Sequence, residues 1–339
     1  MAHNLIIGGG LAGCTIAREL ANSGQEVTII EKTENIGGKV RHYGCKATSK
    51  CSNCGLCLVG SLWEDVEADS RVRIITEAEL KDVIGSKGNF TIVYSRDNKT
   101  STLEGVTNIV VSTGFQDFSQ ALSGNLEFYA DNNIIRGSDM ESILFDREKE
   151  GFLNKEINNV AFIQCFGSRD IQQRVPYCSR VCCAYSTRMA RVLRYFYPEV
   201  GIVFFYMDLQ KVEEGSYYNY LKDDQNIEFI RCRPAKFEAG TPCSVVYEEP
   251  GSEGLTKREF DLVILSEGIY PSEDNDVIAE LCMLGIDNDG FLKYVGDSNI
   301  TGVYLAGCAS GPKRIEEVYT ESLEVARQLI SSCEPAAVG

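Results

Sequence analysis

The stretch Leu5-Ile6-Ile7-Gly8-Gly9-Gly10-Leu11-Ala12-Gly13 decides the fold. Leu5-Ile6-Ile7 reads as a short buried strand. The next six residues fit G-x-G-x-x-G and open a helix over about Leu11 to Asn22. Gly8 permits a tight turn, Gly10 lets a pyrophosphate approach the backbone, and Gly13 lets helix and strand pack closely. The helix N-terminus would hold the pyrophosphate charge. The helix ends near Gly24, and Val27-Thr28-Ile29-Ile30 forms a second strand that ends at Glu31. That acid lies 18 residues after Gly13, where it can accept hydrogen bonds from a ribose. A lone glycine fingerprint is a weak signal, but strand, loop, helix, strand and acid in order specify dinucleotide binding.

Three later segments favour FAD over NAD. Gly37-Gly38 resembles the doublet that follows the acid in glutathione-reductase-type flavoproteins. Val110-Val111-Ser112-Thr113-Gly114 is similar to their short strand ending in Thr-Gly. Gly302-Val303-Tyr304-Leu305-Ala306-Gly307 is similar to the strand whose end meets the ribityl chain and isoalloxazine. Together they nominate cofactor-binding residues. The loop and helix supply Gly8, Gly10, Leu11, Ala12 and Gly13. The acid and the doublet supply Glu31, Lys32, Gly37, Gly38 and Lys39. The later segments supply Thr113, Gly114, Gly307, Cys308, Lys313 and Ile315. Lys313 stands near the start of a helix from about Ile315, and a lysine beside the flavin would stabilise its reduced, anionic form. A solvated lysine near a helix end is the plainer alternative.

The chain has 339 residues, enough for two domains with real cores. Its formal net charge of -16 disfavours binding to nucleic acid or to an anionic membrane surface. No apolar run reaches about 18 residues, so no membrane span is expected. Met1-Ala2-His3-Asn4 runs straight into the first strand and leaves no room for a signal peptide. A cytoplasmic protein is therefore expected, and 14 cysteines in a reducing compartment point to metal or redox work.

Asn159 to Gln164 reads as another buried strand, followed by strands at Gly201–Met207, Ile227–Arg231, Val245–Glu248 and Leu262–Leu265. No second G-x-G-x-x-G follows Gln164. Four cysteines stand there instead: Cys165, Cys178, Cys182 and Cys183, at intervals of 13, 4 and 1 residues. The last two open a helix-like run, Ala184 to Tyr197, where backbone N–H groups and the helix dipole favour thiolates. Arg169, Arg174 and Arg180 add positive charge. The spacing fits neither a ferredoxin run nor a tetrahedral zinc pattern. Spacing alone leaves an iron–sulfur cluster, buried apolar thiols, a disulfide and zinc all open. The expected fold is α/β, thioredoxin-reductase-like, with two dinucleotide-type domains. A discontinuous FAD domain is expected over 1–150 and 285–339, and a second domain over 151–284 carries the thiols in place of a nicotinamide site.

Phe162-Ile163-Gln164-Cys165-Phe166-Gly167-Ser168-Arg169-Asp170 and Pro176-Tyr177-Cys178-Ser179-Arg180-Val181-Cys182-Cys183 resemble the signature of the A-type subunit of heterodisulfide reductase, the HdrA family. Phe205-Tyr206-Met207-Asp208, Arg231-Cys232-Arg233-Pro234 and Gly307-Cys308-Ala309-Ser310-Gly311-Pro312-Lys313 continue the resemblance. It implies a flavoprotein with FAD and one unusual [4Fe–4S] cluster, with Cys165, Cys178, Cys182 and Cys183 as the metal ligands. It also implies a homodimer that works with B- and C-type (HdrB- and HdrC-like) subunits. The length resembles the short form in the Hdr-like complex of sulfur-oxidising prokaryotes, which implies an electron-transfer role in sulfur or disulfide metabolism. Cys308 stands where related reductases carry Asp, and the HdrA family shares the cysteine.

Cys45, Cys51, Cys54 and Cys57 form a second group, where flavin disulfide reductases carry their redox cysteines. The last three begin a ferredoxin-like run, but Ser61 replaces its fourth ligand. A redox dithiol, a second metal site and inert or partner-facing thiols are all compatible with it. Two rivals to the electron-transfer subunit follow. One is a stand-alone flavin disulfide reductase using the Cys45–Cys57 thiols, and the other is a non-catalytic assembly subunit that holds FAD only to fold.

Overall fold

A computed structural model describes residues 2–117, 133–146, 156–210, 221–251 and 253–333. The chain divides into two compact units. The first comprises Met1–Arg41, Gly55–Gln116 and Pro271–Gly339, and the second His42–Cys54 and Asp117–Tyr270. Each unit is an α/β body built on a five-stranded parallel sheet, and the first unit is discontinuous as expected.

Strands and helices are numbered along the chain. In the first unit β1 (His3–Ile7), β2 (Glu26–Ile30), β3 (Val72–Ile75), β7 (Asn108–Val111) and β18 (Val303–Leu305) form a parallel sheet, ordered β18-β7-β1-β2-β3. Leu5 pairs with Thr28 and Ile6 with Ile29. These strands are near-continuous apolar runs because both faces of a parallel sheet are covered. Helix α1 (Leu11–Asn22) has the limits the sequence implies, and α7 (Ile315–Cys333) packs along it. Arg18 of α1 donates to the Tyr319 hydroxyl of α7 at 3.1 Å. Between β3 and β7 runs an antiparallel meander, β4 (Ala78–Ser86), β5 (Asn89–Arg96) and β6 (Lys99–Val106), which shares its core with β1 and β7. The unit also carries short helices α2 (Leu62–Ala68), α5 (Asn275–Leu281) and α6 (Ser298–Thr301), and the small hairpin of β16 (Gly285–Ile286) and β17 (Leu292–Lys293).

In the second unit β8 (Ile134–Arg136), β9 (Asn159–Phe166), β10 (Gly201–Phe205), β11 (Ile227–Ile230) and β15 (Leu262–Glu267) form a parallel sheet, ordered β11-β10-β9-β15-β8. A second meander, β12 (Lys236–Glu238), β13 (Cys243–Glu248) and β14 (Leu255–Phe260), shares the core of one face. Helices α3 (Gly137–Phe145) and α4 (Cys182–Phe196) contribute to the core of the other. Phe162, Phe204 and Phe229, in register on β9, β10 and β11, stack with centroids 4.9 Å apart at each step. Such pairs add about 0.5–1.5 kcal/mol each beyond their buried area. They hold β9 firmly where it delivers Cys165.

Two expectations need correction. The domain boundaries fall near 117 and 270, not 150 and 285. β8 joins the second sheet by pairing Ile134 with Val263, so the chain has left the first unit well before residue 150. It returns at Pro271, and Ile278, Ala279 and Cys282 already belong to the first unit's core. Helix α4 begins at Cys182 rather than Ala184, so both adjacent cysteines lie inside its first turn. Among the described residues no helix is long and apolar enough to cross a membrane.

Candidate functional site

The glycine loop of the first unit is a close-packed turn with one open face. Gly8 has φ +99°, and a Cβ there would lie 2.5 Å from the Ser112 carbonyl oxygen. A Cβ on Gly13 would lie 2.1 Å from the Gly8 oxygen, so the helix can approach the loop only without one. A Cβ on Gly10 would meet nothing within 4 Å, and Leu11 and Ala12 follow it as the first residues of α1. The doublet lies against this loop. Gly37 N donates to Gly9 O at 2.7 Å, and a Cβ on Gly38 would come within 3.0 Å of the Gly10 Cα. Two motifs far apart in sequence thus make one backbone surface of the kind a pyrophosphate needs.

Glu31 is buried and holds that surface closed. Its Oε2 accepts from Gly9 N at 2.8 Å, and its Oε1 accepts from Thr33 N at 2.8 Å and from the Thr33 hydroxyl at 2.7 Å. A carboxylate oxygen with a single donor keeps room for a ribose hydroxyl, and Oε2 is that oxygen. Lys32 is turned elsewhere, pairing with Asp274 at 2.7 Å. Lys39 stands 5.2 Å over the Phe115 ring. The Thr113 hydroxyl and Gln116 Oε1 are buried without a hydrogen-bond partner, and Gly114 (φ +76°) faces open space. Orphaned buried oxygens beside an open glycine surface are what a bound polar group would satisfy. The residues therefore fit a dinucleotide.

The C-terminal segment closes on the same helix. Gly307 (φ +73°) lies so near α1 that a Cβ would sit 2.9 Å from the Ala12 Cβ. Gly307 N donates to Glu321 Oε2 at 2.7 Å. Lys313 Nζ donates to Gly307 O at 2.8 Å and to the Ser310 hydroxyl at 2.7 Å, and it pairs with Glu321 at 3.2 Å. Lys313 is thus a fixed cation rather than a solvated one. Burial pushes the Cys308 thiol up to about 11, so it stays protonated, and it donates to Lys313 O at 3.6 Å. Ile315 opens α7 against Gly55. Glu321 is the residue that sequence reasoning missed here, because an acid in the middle of an amphipathic helix looks like a solvated one.

In the second unit Cys165, Cys182 and Cys183 form one buried group flanked by Tyr185, Met207 and Leu209. Cys165, next to last in β9, lies in the left-handed region at φ +56°, a conformation costly outside glycine. Arg169, Arg174 and Arg180 share it, at φ +56°, +59° and +63°. The loop from Cys165 to Cys182 is thus wound around its own thiols. Hydrogen bonds from Cys165, then Cys183, hold the buried Cys182 thiol well below the usual range. The same contacts push Cys165 and Cys183 up. Cys178 is half-buried and accepts from Arg180 N at 3.3 Å. Gln210 N donates to Cys183, and the buried Ser168 hydroxyl has no partner.

All described cysteines are free thiols, and among the described residues no three His, Cys, Asp or Glu side chains close on a single metal ion. Thiols at a helix N-terminus, with backbone N–H donors and an orphaned hydroxyl beside them, suit an anionic iron–sulfur cluster, which takes one thiolate on each iron.

The second thiol group is divided. Cys45, Cys51 and Cys54 belong to the second unit and Cys57 to the first. The segment His42–Cys54 is fastened by a buried Lys46–Glu141 ion pair and by Arg188, which donates to Ser52 O at 3.1 Å and to Asn53 O at 2.9 Å. Cys45 and Cys51 are exposed.

Glu267, at the end of β15, carries no mark in the sequence. It is buried; its Oε1 accepts from Ser138 N at 3.1 Å and its Oε2 has no partner. Desolvation pushes its carboxyl up to about 7. Tyr185 donates its hydroxyl to the Glu267 carbonyl at 2.9 Å. Nothing in a Ser-Glu-Gly strand end distinguishes this acid from an exposed one.

Residues 6–51 match the model of the NAD(P)-binding Rossmann-like domain. The fold is similar to thioredoxin reductase of Lactococcus lactis, with TM-score 0.64 and 15% identity over 98% of this chain and 99% of that one. Thioredoxin reductase of T. acidophilum also gives TM-score 0.64, at 18% identity over 98% and 99% of the two chains. In sequence the chain is 29% identical to the second iron-sulfur A-type subunit of CoB–CoM heterodisulfide reductase from Methanopyrus kandleri, over 92% of this chain and 61% of that protein. It is 25% identical to the A-type subunit of the H2:CoB-CoM heterodisulfide,ferredoxin reductase of Methanothermobacter thermautotrophicus, over 94% and 62%. The chain thus spans about three fifths of these relatives. Built on a thioredoxin-reductase-like fold, the chain is similar in sequence to the A-type subunit of heterodisulfide reductase, HdrA.

Proposed function

We propose that the chain is an FAD- and iron–sulfur-dependent electron-transfer subunit. In this reading its first unit holds FAD, and its second holds one [4Fe–4S] cluster on Cys165, Cys178, Cys182 and Cys183. The observation that carries the reading is the buried trio Cys165, Cys182 and Cys183 at the carboxyl ends of the parallel strands. In an open α/β sheet ligands bind at that edge, and here thiols stand where a nicotinamide glycine loop would be. When bound, FAD supplies one- and two-electron exchange and the cluster supplies one-electron exchange.

The chain's own residues bind and tune. The Gly8–Gly13 loop and Gly38 present backbone to a pyrophosphate, and Glu31 fixes that loop while accepting from a ribose. Lys313, held by Glu321, places a fixed positive charge beside the start of α1. In the second unit Met207, Leu209 and Tyr185 exclude water, and N–H groups of Arg180 and Gln210 donate to sulfur. Hydrogen bonds to ligand sulfurs would raise a cluster's reduction potential, whereas burial of its net negative charge would lower it.

Relatives named as heterodisulfide reductase subunits support a place in a complex of that kind. We assign the chain to a homodimer working with B- and C-type subunits in the cytoplasm. The short form of the Hdr-like complex, acting in sulfane-sulfur or disulfide redox metabolism, is the context that suits it. Anaerobic purification with flavin, iron and sulfide analysis tests the reading: one FAD and about four irons per chain are expected. In Cys182→Ala iron should be lost while flavin is retained. Iron unchanged in that variant would refute the assignment.

A further inference from the structure

The sheet order of the first unit decides which strand ends a dinucleotide crosses. The order is β18-β7-β1-β2-β3 with every pair parallel, so Ala306, Ser112, Gly8 and Glu31 follow β18, β7, β1 and β2 at one edge. A ribose on Glu31 and a pyrophosphate on the Gly8–Gly13 loop lie over the ends of β2 and β1. The other half of an extended cofactor then runs towards β7 and β18. Neighbouring strands are about 4.8 Å apart, so the end of β18 lies only about 10 Å from that of β1.

At the end of β18 three residues close a ring of contacts. Glu321 Oε2 accepts from Gly307 N at 2.7 Å, and Lys313 Nζ donates to Gly307 O at 2.8 Å. Lys313 Nζ and Glu321 Oε1, 3.2 Å apart, complete the ring. The Ser310 hydroxyl accepts from Lys313 at 2.7 Å. An ammonium has three protons, and Gly307, Ser310 and Glu321 engage all three. Lys313 therefore acts on a flavin through its charge and not by donating a hydrogen bond. Its side chain is 17% exposed and that of Glu321 33%, so water screens the pair only in part. Gly307, at φ +73° and packed on Ala12, seats the ring against α1.

We propose that Glu321 is a positioning residue of the flavin site, which aims Lys313 and, as its counter-charge, sets how strongly Lys313 favours reduced flavin. The inference rests on the assignment of FAD to the first unit. Gly307 O and Ser310 Oγ still hold Lys313 when the Glu321 carboxylate is gone. Replacing that carboxylate by an amide thus leaves the cation in place and removes the charge that offsets it. Reduced, anionic flavin is then favoured more, and the midpoint rises. A merely structural Glu321 predicts the opposite or nothing, because a loosened turn spreads the cation and the midpoint falls or stays.

The test is a spectroelectrochemical titration of the flavin in the anaerobically purified full chain, for the parent, Glu321→Gln, Glu321→Asp and Lys313→Met. Glu321→Gln should prefer reduced flavin about tenfold more than the parent, a rise of about 30 mV for the two-electron couple. Lys313→Met should shift the other way. Glu321→Asp keeps the charge and should stay close to the parent. An unchanged or lower midpoint in Glu321→Gln overturns the proposal. So does an equal rise in Glu321→Asp, which would make side-chain length and not charge the cause. Loss of flavin from Glu321→Gln also counts against it, since the ring would then fasten the cofactor rather than control a charge. Flavin content of the parent is measured first. A parent without flavin refutes the FAD assignment, whereas a flavin-bound parent with an indifferent Glu321→Gln refutes this inference alone.

Discussion

Replacing Glu267 by Gln should change how stability depends on pH. The carboxyl is buried at the end of β15, has one backbone donor, and leaves Oε2 without a partner. Desolvation, the largest cause, raises it from 4.5 to about 7, with Asp117 adding repulsion. The folded chain therefore keeps this proton to higher pH than the unfolded chain does. Between about 4.5 and about 7 the folded state binds more protons, so stability falls as pH rises through that window. At about 1.4 kcal/mol for each pH interval of one across that window, the loss approaches about 3 kcal/mol by pH 8. Gln keeps an oxygen for Ser138 N and cannot ionise. Urea unfolding of parent and Glu267→Gln at pH 4.5 and pH 8 reads the effect. The variant should gain on the parent by about 3 kcal/mol between the two pH values. Curves that stay parallel within about 0.5 kcal/mol would refute the claim that this carboxyl is buried and unmatched.

Other expectations follow from the same geometry. Lys46→Met leaves the Glu141 carboxylate buried alone and should destabilise the second unit by about 3–5 kcal/mol, while Lys46→Met with Glu141→Leu recovers most of it on urea unfolding. Gly13→Ala drives a Cβ to within 2.1 Å of the Gly8 oxygen and should abolish retention of FAD on gel filtration while the second unit stays folded. Lys313→Met removes the cation fixed by Glu321, and the flavin midpoint should fall, by roughly 30 mV for each tenfold loss of preference for the reduced form. Cys51→Ser with Cys54→Ser should leave about four irons per chain, and a drop from about eight would assign a second cluster to those thiols.

The start of the chain was legible because its signals are local. β1, α1 and β2 follow from an apolar run, three glycines and the acid, and each glycine has the steric reason its place implies. Three of the four thiols, Cys165, Cys182 and Cys183, come together as one buried group, and Cys165 lies next to the end of a buried strand. Local pattern fails where pairing is remote. Ile134–Arg136 carries no mark that it joins β15, over a hundred residues later, so the domain boundary moved. The β4–β6 meander escaped because register shifts at Leu80/Asp82 and Phe90/Ile92 break its alternation. Glu267 and Glu321 escaped for another reason. An acid's burial is set by the tertiary neighbours that desolvate or pair it, and its own flanking residues do not reveal them.

The central claim, that Cys165, Cys178, Cys182 and Cys183 hold one four-iron cluster beside a separate flavin, is tested most directly by EPR of the dithionite-reduced protein. The parent should show a reduced-cluster signal integrating to about one spin per chain. Cys182→Ala should lose that signal together with its iron, while the flavin absorbance persists. An unchanged signal in Cys182→Ala, or a parent that carries flavin and no iron after anaerobic purification, would contradict the account.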